Sequence, residues 1–131
     1  MAINSKTIDL SGLDVRAKSV TLESGGSIDI DSGTATATAG AATLSKMAGV
    51  VTSEALTTAA AAAYTLTLTN TVIAATDMVF VSVANGTNSA GIPIVGRVTP
   101  GSGSCTILIE NQHGANAFNG TIKISFLVIK A

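Results

Sequence analysis

Tyr64-Thr65-Leu66-Thr67-Leu68-Thr69 decides the fold class of this chain. Apolar and hydroxyl side chains alternate through it without a break, and a period of two sends successive side chains to opposite faces of a sheet. Tyr64, Leu66 and Leu68 therefore share one face and Thr65, Thr67 and Thr69 the other, as in a strand with one dry and one solvated side. The same alternation runs through Val20-Thr21-Leu22-Glu23, Ile28-Asp29-Ile30-Asp31 and Thr34-Ala35-Thr36-Ala37-Thr38. The chain reads as an all-β protein.

Beyond Met47 the strand-like segments lengthen, to 49–55, 64–70, 77–84, 92–98, 105–111 and 121–130. Asn85-Gly86, Pro100-Gly101-Ser102-Gly103 and Asn119-Gly120 punctuate them as turns, the Asn-Gly pairs because both residues tolerate the positive φ of a tight hairpin. Strands at this spacing predict a β-sandwich or jelly-roll-like domain over residues 46–131. The alanines of 59–63 favour helix by propensity, but the run is short and flanked by threonines, so a turn or a single helical turn is expected. Met78-Val79-Phe80-Val81 and Phe126-Leu127-Val128-Ile129 are apolar on both faces, which predicts strands that are central or covered by a subunit contact. A charge at Val81 or Phe126 is expected to abolish assembly.

Residues 1–45 differ in texture. Ile8-Asp9-Leu10, Leu13-Asp14-Val15, Val20-Thr21-Leu22 and Ile28-Asp29-Ile30 read as very short strands broken by Ser-Gly pairs, and strands of that length need a partner surface. The segment is read as an N-terminal β-arm that assembles against another subunit or a larger surface, with 34–44 a closely approached strand or a linker.

Composition narrows the function. Of 131 residues, 47% are hydrophobic and only 11% are charged, against about 25% charged in an average protein; a surface that dry points to contact with copies of itself or with another protein. The formal net charge of −1 and the scattered basic residues Lys6, Arg16, Lys18, Lys46, Arg97, Lys123 and Lys130 argue against a nucleic-acid partner. No apolar run approaches the roughly 20 residues of a membrane span. The opening MAINSKTIDL lacks the basic-then-apolar order of a secretory signal, so synthesis in the cytoplasm is expected.

The inventory for chemistry is thin. His113 lies in the polar stretch Asn111-Gln112-His113-Gly114-Ala115-Asn116 without a Gly-x-Ser-x-Gly elbow, and is read as a loop residue. Asp29 and Asp31, with Asp14 or Glu23 near them, could hold a hard cation, but no DxDxDG loop accompanies them and a solvated strand face is the reading. Cys105, the one cysteine, shares a strand face with Ile107 and Ile109 and is read as a small buried hydrophobe. Gly101-Ser102-Gly103-Ser104 lacks the Gly-Lys-Ser/Thr ending of a phosphate cradle. Asn85-Gly86-Thr87 and Asn119-Gly120-Thr121 are read as turns, not glycosylation sites. No catalytic residue, metal ligand or cofactor is assigned, and the chain is not read as an enzyme.

The segments Ser53-Glu54-Ala55-Leu56-Thr57-Thr58-Ala59, Tyr64-Thr65-Leu66-Thr67-Leu68-Thr69-Asn70, Val83-Ala84-Asn85-Gly86-Thr87-Asn88, Val98-Thr99-Pro100-Gly101, Ile109-Glu110-Asn111-Gln112-His113 and Asn119-Gly120-Thr121-Ile122-Lys123-Ile124-Ser125-Phe126 resemble a module of structural proteins of tailed bacteriophages, most closely a capsid decoration (cement) protein. The resemblance implies an oligomer, a homotrimer or else a homodimer, on the outside of a virion. Its partner would be the major capsid protein, at junctions where copies of that protein meet. A tail-fibre or tail-tip module that binds a host receptor is the alternative, disfavoured by the small size and by the lack of Trp with a single Tyr.

Overall fold

The computed structural model describes Gly12, Ser19 and residues 21–131. Among these residues there is no helix, and the strands are β1 (Ser32–Thr36), β2 (Ala41–Thr43), β3 (Ala48–Thr52), β4 (Ala63–Thr69), β5 (Met78–Asn85), β6 (Pro93–Gly101), β7 (Ser104–Asn111) and β8 (Ile122–Ile129). They form two four-stranded sheets, ordered β1-β3-β8-β5 and β2-β4-β7-β6. Each sheet is mixed, with a parallel edge pair, β1 on β3 and β2 on β4, and antiparallel ladders elsewhere.

The two inner faces make one core, so the protein is a β-sandwich. Leu66, Leu68, Ile107, Ile109 and Cys105 come from the second sheet, and Val51, Ile122, Ile124, Phe126 and Val128 from the first, all buried. The strict alternation of β4 is realised, with Tyr64, Leu66 and Leu68 buried and the threonines exposed. The alanine run supplies a turn at Ala60-Ala61 and opens β4 at Ala63.

Residues 32–44 lie within the sandwich, on the far side of the boundary that sequence texture placed at 45. Its Thr, Ala and Gly residues form β1 and β2, one edge strand for each sheet. Small residues are needed there because the packing is close: a Cβ at Gly49 would stand 2.8 Å from the Gly33 carbonyl oxygen, and one at Gly40 would stand 2.8 Å from that of Thr65. Thr38 and Ala41 exchange N–H···O bonds of 2.9 and 3.0 Å around Ala39 and Gly40, which both have positive φ, 50° and 74°, as a type I′ turn requires.

Two readings of the sequence are corrected. Residues 21–31 contain no strand: Ser24-Gly25 is a turn closed by Gly26 N–H on Glu23 C=O at 2.8 Å, and Ile28-Asp29-Ile30 pairs with no ladder. Alternation alone does not make a strand when no neighbouring edge takes up its backbone groups. Ile8-Asp9-Leu10, Leu13-Asp14-Val15 and Val20 lie outside the described residues. Second, neither Asn-Gly pair is a positive-φ hairpin turn; among the described glycines φ is positive at Gly12, Gly25, Gly40 and Gly103. The two triplets instead lie side by side. Thr87 N–H donates to Thr121 Oγ1 at 3.0 Å, Thr121 N–H donates to Thr87 Oγ1 at 2.9 Å, and a Cβ at Gly86 or Gly120 would collide with the opposite threonine backbone at 2.9 or 2.7 Å. Glycine serves close approach here, not a left-handed turn.

Ala39 is exposed and carries the left-handed conformation without glycine's freedom. Ala39→Gly is expected to raise stability by about 0.5–1 kcal/mol, read as a higher midpoint in thermal or urea unfolding.

Candidate assembly surface

The outward faces of the two sheets differ at one end: the first sheet carries hydroxyls and Lys123 in the rows Thr34-Val50-Ser125-Ser82 and Thr36-Thr52-Lys123-Ala84, and is apolar only in the rows toward Met78 and Ile129. On the second sheet Thr67, Thr106 and Thr99 stand in one row across β4, β7 and β6, and Thr43 and Thr69 pair beside them. That hydroxyl-rich face suits water. On the first sheet the outward row Ser32-Ala48-Leu127-Phe80 crosses β1, β3, β8 and β5, and Ile129 pairs with Met78 in the next outward row. Phe80 is 59% exposed, Met78 54% and Ile129 39%. A shallow depression of about 230 Å³, lined by Phe80, Val81, Ser82, Ser125, Phe126 and Leu127, sits in this face.

The register resolves the two fully apolar runs. β8 is central in its sheet, whereas β5 is an edge strand. Val79, Val81 and Val83 pack on the core, and the outward side chains are Met78 and Phe80. A charge at Val81 or Phe126 would thus strike the core, whereas Phe80 and Leu127 face outward. The sequence hid this because a run with no polar residue carries no parity.

At the end of the face next to Met78 and Ile129, buried Asp77 is bound by three donors. Its Oδ2 accepts from Ala74 N–H at 2.8 Å and from Lys130 Nζ, and its Oδ1 accepts from Ala131 N–H at 3.2 Å. The hydrogen bond from Lys130 foremost, aided by the backbone N–H groups, holds the Asp77 carboxyl below its ordinary pKa. This ion pair was not singled out from the sequence; Asp77 and Lys130 stand too far apart along the chain for a local pattern.

The residues weighed for chemistry are dispersed. His113 Nδ1 accepts from Ala115 N–H at 3.0 Å and Asn116 N–H at 2.9 Å, so the ring shapes its own loop. Asp31 Oδ1 is 2.7 Å from Lys46 Nζ, and Asp29 and Glu23 are exposed. Among the described residues no three His, Cys, Asp or Glu side chains gather; Asp14 lies outside them. Cys105 is fully buried, and burial pushes its thiol pKa up. Burial of the Tyr64 phenol raises its pKa, reinforced by the Glu54 carboxylate that accepts its proton at 3.0 Å. Gly101-Ser102-Gly103-Ser104 is the β6–β7 hairpin, closed by pairing of Gly101 with Ser104. No protein-family model, curated protein or solved structure matches the chain.

Two outcomes follow from this geometry. At concentrations too low for association, Phe80→Asp is expected to leave unfolding within about 0.5 kcal/mol of the parent, whereas Phe126→Asp, which buries an unpaired charge, costs several kcal/mol; denaturant titration of both separates the faces. Because the folded Asp77 carboxyl has the lower pKa, its contribution is complete above the unfolded value near 4 and is lost as pH falls through the folded one. Below about pH 4 the thermal midpoint of the parent should fall more steeply than that of Asp77→Asn, and equal slopes would remove Asp77 from the account.

Proposed function

We propose that this chain is a structural virion protein, a decoration protein that binds the outside of a phage capsid at junctions between major capsid proteins and reinforces the shell. It acts as a homo-oligomer, a trimer or else a dimer, on the capsid surface, and performs no catalytic step. The observation that carries this reading is the exposed apolar end of one sheet face, formed by Met78, Phe80, Leu127 and Ile129, against the hydroxyl-rich face of the other sheet. A face of that kind on a protein with 11% charged residues marks an interaction surface. The resemblance of residues 49–131 to phage decoration modules supplies the class of partner. The state of the candidate reactive groups supports a non-catalytic role: the His113 ring is engaged by its loop, Asp31 by Lys46, and Cys105 by the core.

The test is to add the purified full chain to phage particles that lack it and count copies at saturation. Hundreds of copies per particle and a raised temperature of DNA release are expected; saturation at a handful of copies would assign the chain to the tail. The triple variant His113→Gln, Asp29→Asn and Asp31→Asn should bind within about tenfold of the parent, roughly 1.4 kcal/mol. Loss of binding in that variant, with dependence of the parent on a divalent ion, would overturn the assignment of those carboxylates to solvent.

A further inference from the structure

We propose that the apolar outer face of the β1-β3-β8-β5 sheet is covered by residues 22–30 of a second copy of this chain, the copies exchanging their arms. This goes beyond the capsid reading and needs no capsid.

The chain leaves the sandwich at the apolar end of that face. Ser32 opens the outward row that ends on Phe80, and the row beyond it is Ile129 and Met78. Asp31 extends the line of β1, its carbonyl accepting from Ala48 N–H at 3.2 Å while its carboxylate holds Lys46. Just upstream, Ile30 is 40% exposed, Ile28 71% and Leu22 47%. Among the described residues, one chain thus carries two exposed apolar sets at the same end of the sheet.

Among the described residues the chain's own arm does not cover the face: residues 21–31 are all exposed, and their one backbone bond to the sheet is the Asp31 carbonyl accepting from Ala48 N–H. A second copy can bring the same residues over it. Crossing from β1 to β5 spans about 14 Å at the usual strand spacing, a distance that four or five extended residues cover, so 22–30 is long enough to lie across the face.

Charge and shape agree. Residues 21–31 carry Glu23, Asp29 and Asp31 and no cation; the described outward residues of the sheet include no anion to repel them, and their single cation, Lys123, stands in the row with Thr52 and Ala84 at the end away from Met78 and Ile129. The depression of about 230 Å³ falls below the ~300–1,000 Å³ of small-molecule pockets. It is lined by the outward side chains of Phe80, Ser82, Ser125 and Leu127, with Val81 and Phe126 turned to the core beneath it, and suits a branched aliphatic side chain with its backbone amides near the hydroxyls.

The experiment uses full-length chains carrying two different tags, one with Ile28→Cys and the other with Phe80→Cys, mixed and oxidised; Cys105 is buried and does not compete. A disulfide joining the two tagged chains is expected. In parallel, sedimentation should show the parent as an oligomer at micromolar concentration, and Phe80→Asp and Ile28→Asp should each weaken association at least about tenfold while melting cooperatively. If Phe80→Asp fails to fold, the cross-link decides. A monomeric parent, an oligomer indifferent to both substitutions, or a disulfide that forms only within a chain carrying both cysteines would each overturn the proposal.

Discussion

Parity is the constraint on which this structure depends. In the β4–β7 ladder Tyr64 stands opposite Ile109, Leu66 opposite Ile107 and Leu68 opposite Cys105, and all six side chains are buried. A slip of one residue in β4 would turn Thr65, Thr67 and Thr69 inward, each hydroxyl costing about 1–3 kcal/mol if left without a partner. Both ends of β7 hold the register. At one end Gly103, with φ of 74°, closes the turn to β6. At the other the buried Asn111 side chain accepts from Ile92 N–H and His113 N–H and donates to the carbonyls of Thr58, Ala59 and Asn116. That one amide ties the β4 entry, the β6 entry and the His113 loop to the end of β7.

Once parity is set inside, the outside follows without further choice. On β4 it leaves threonines, which form a wet face. On β5 and β8 it leaves Met78, Phe80, Leu127 and Ile129 at one end, where the runs 78–81 and 126–129 are apolar at every position, and Ser82, Ala84, Ser125 and Lys123 at the other. An edge strand usually guards itself with charge, proline or a bulge; β5, Met78-Val79-Phe80-Val81-Ser82-Val83-Ala84-Asn85, has no charged residue or proline, and its ladder with β8 runs without a register shift. The second sheet shows the contrast, since its edge strand β6 carries Pro93, Arg97, Pro100 and a bulge between Val95 and Arg97. The β6 edge carries these guards and the β5 edge does not, although β5 lies close against β6 of the other sheet.

Much of this was legible in the sequence where polarity alternated, and little of it where polarity was uniform. Tyr64 to Thr69 announced both its strand and its faces. Thr34 to Leu44 did not, since Ala, Thr and Gly carry almost no hydrophobic contrast and the parallel partners of β1 and β2 lie elsewhere in the chain. Ile28-Asp29-Ile30-Asp31 failed in the opposite way: its alternation is perfect, yet among the described residues only Asp31 bonds to a neighbouring edge, through Ala48 N–H. The two Asn-Gly-Thr triplets were legible as breaks but not as partners, because their mutual contact depends on bringing Thr87 and Thr121 together across the fold. Burial of Cys105 could be read from its neighbours, whereas Asp77 with Lys130 could not.

Energetics explain why an arm is a better cover for this face than a second flat sheet. Fully burying a Leu, Ile, Phe or Met side chain yields about 1.5–3 kcal/mol, and side chains already half-covered in the single chain yield proportionately less. Four of them set against an association cost of some 4–15 kcal/mol leave one face alone marginal. When Leu22, Ile28 and Ile30 enter the same contact, exposed area is removed from both partners at once, and exchange repeats the contact at each copy in a closed assembly. Under the proposed exchange the alternation of residues 28–31, which join no strand among the described residues, sends two isoleucines to one side, toward a face of matching chemistry, and leaves Asp29 and Asp31 on the other.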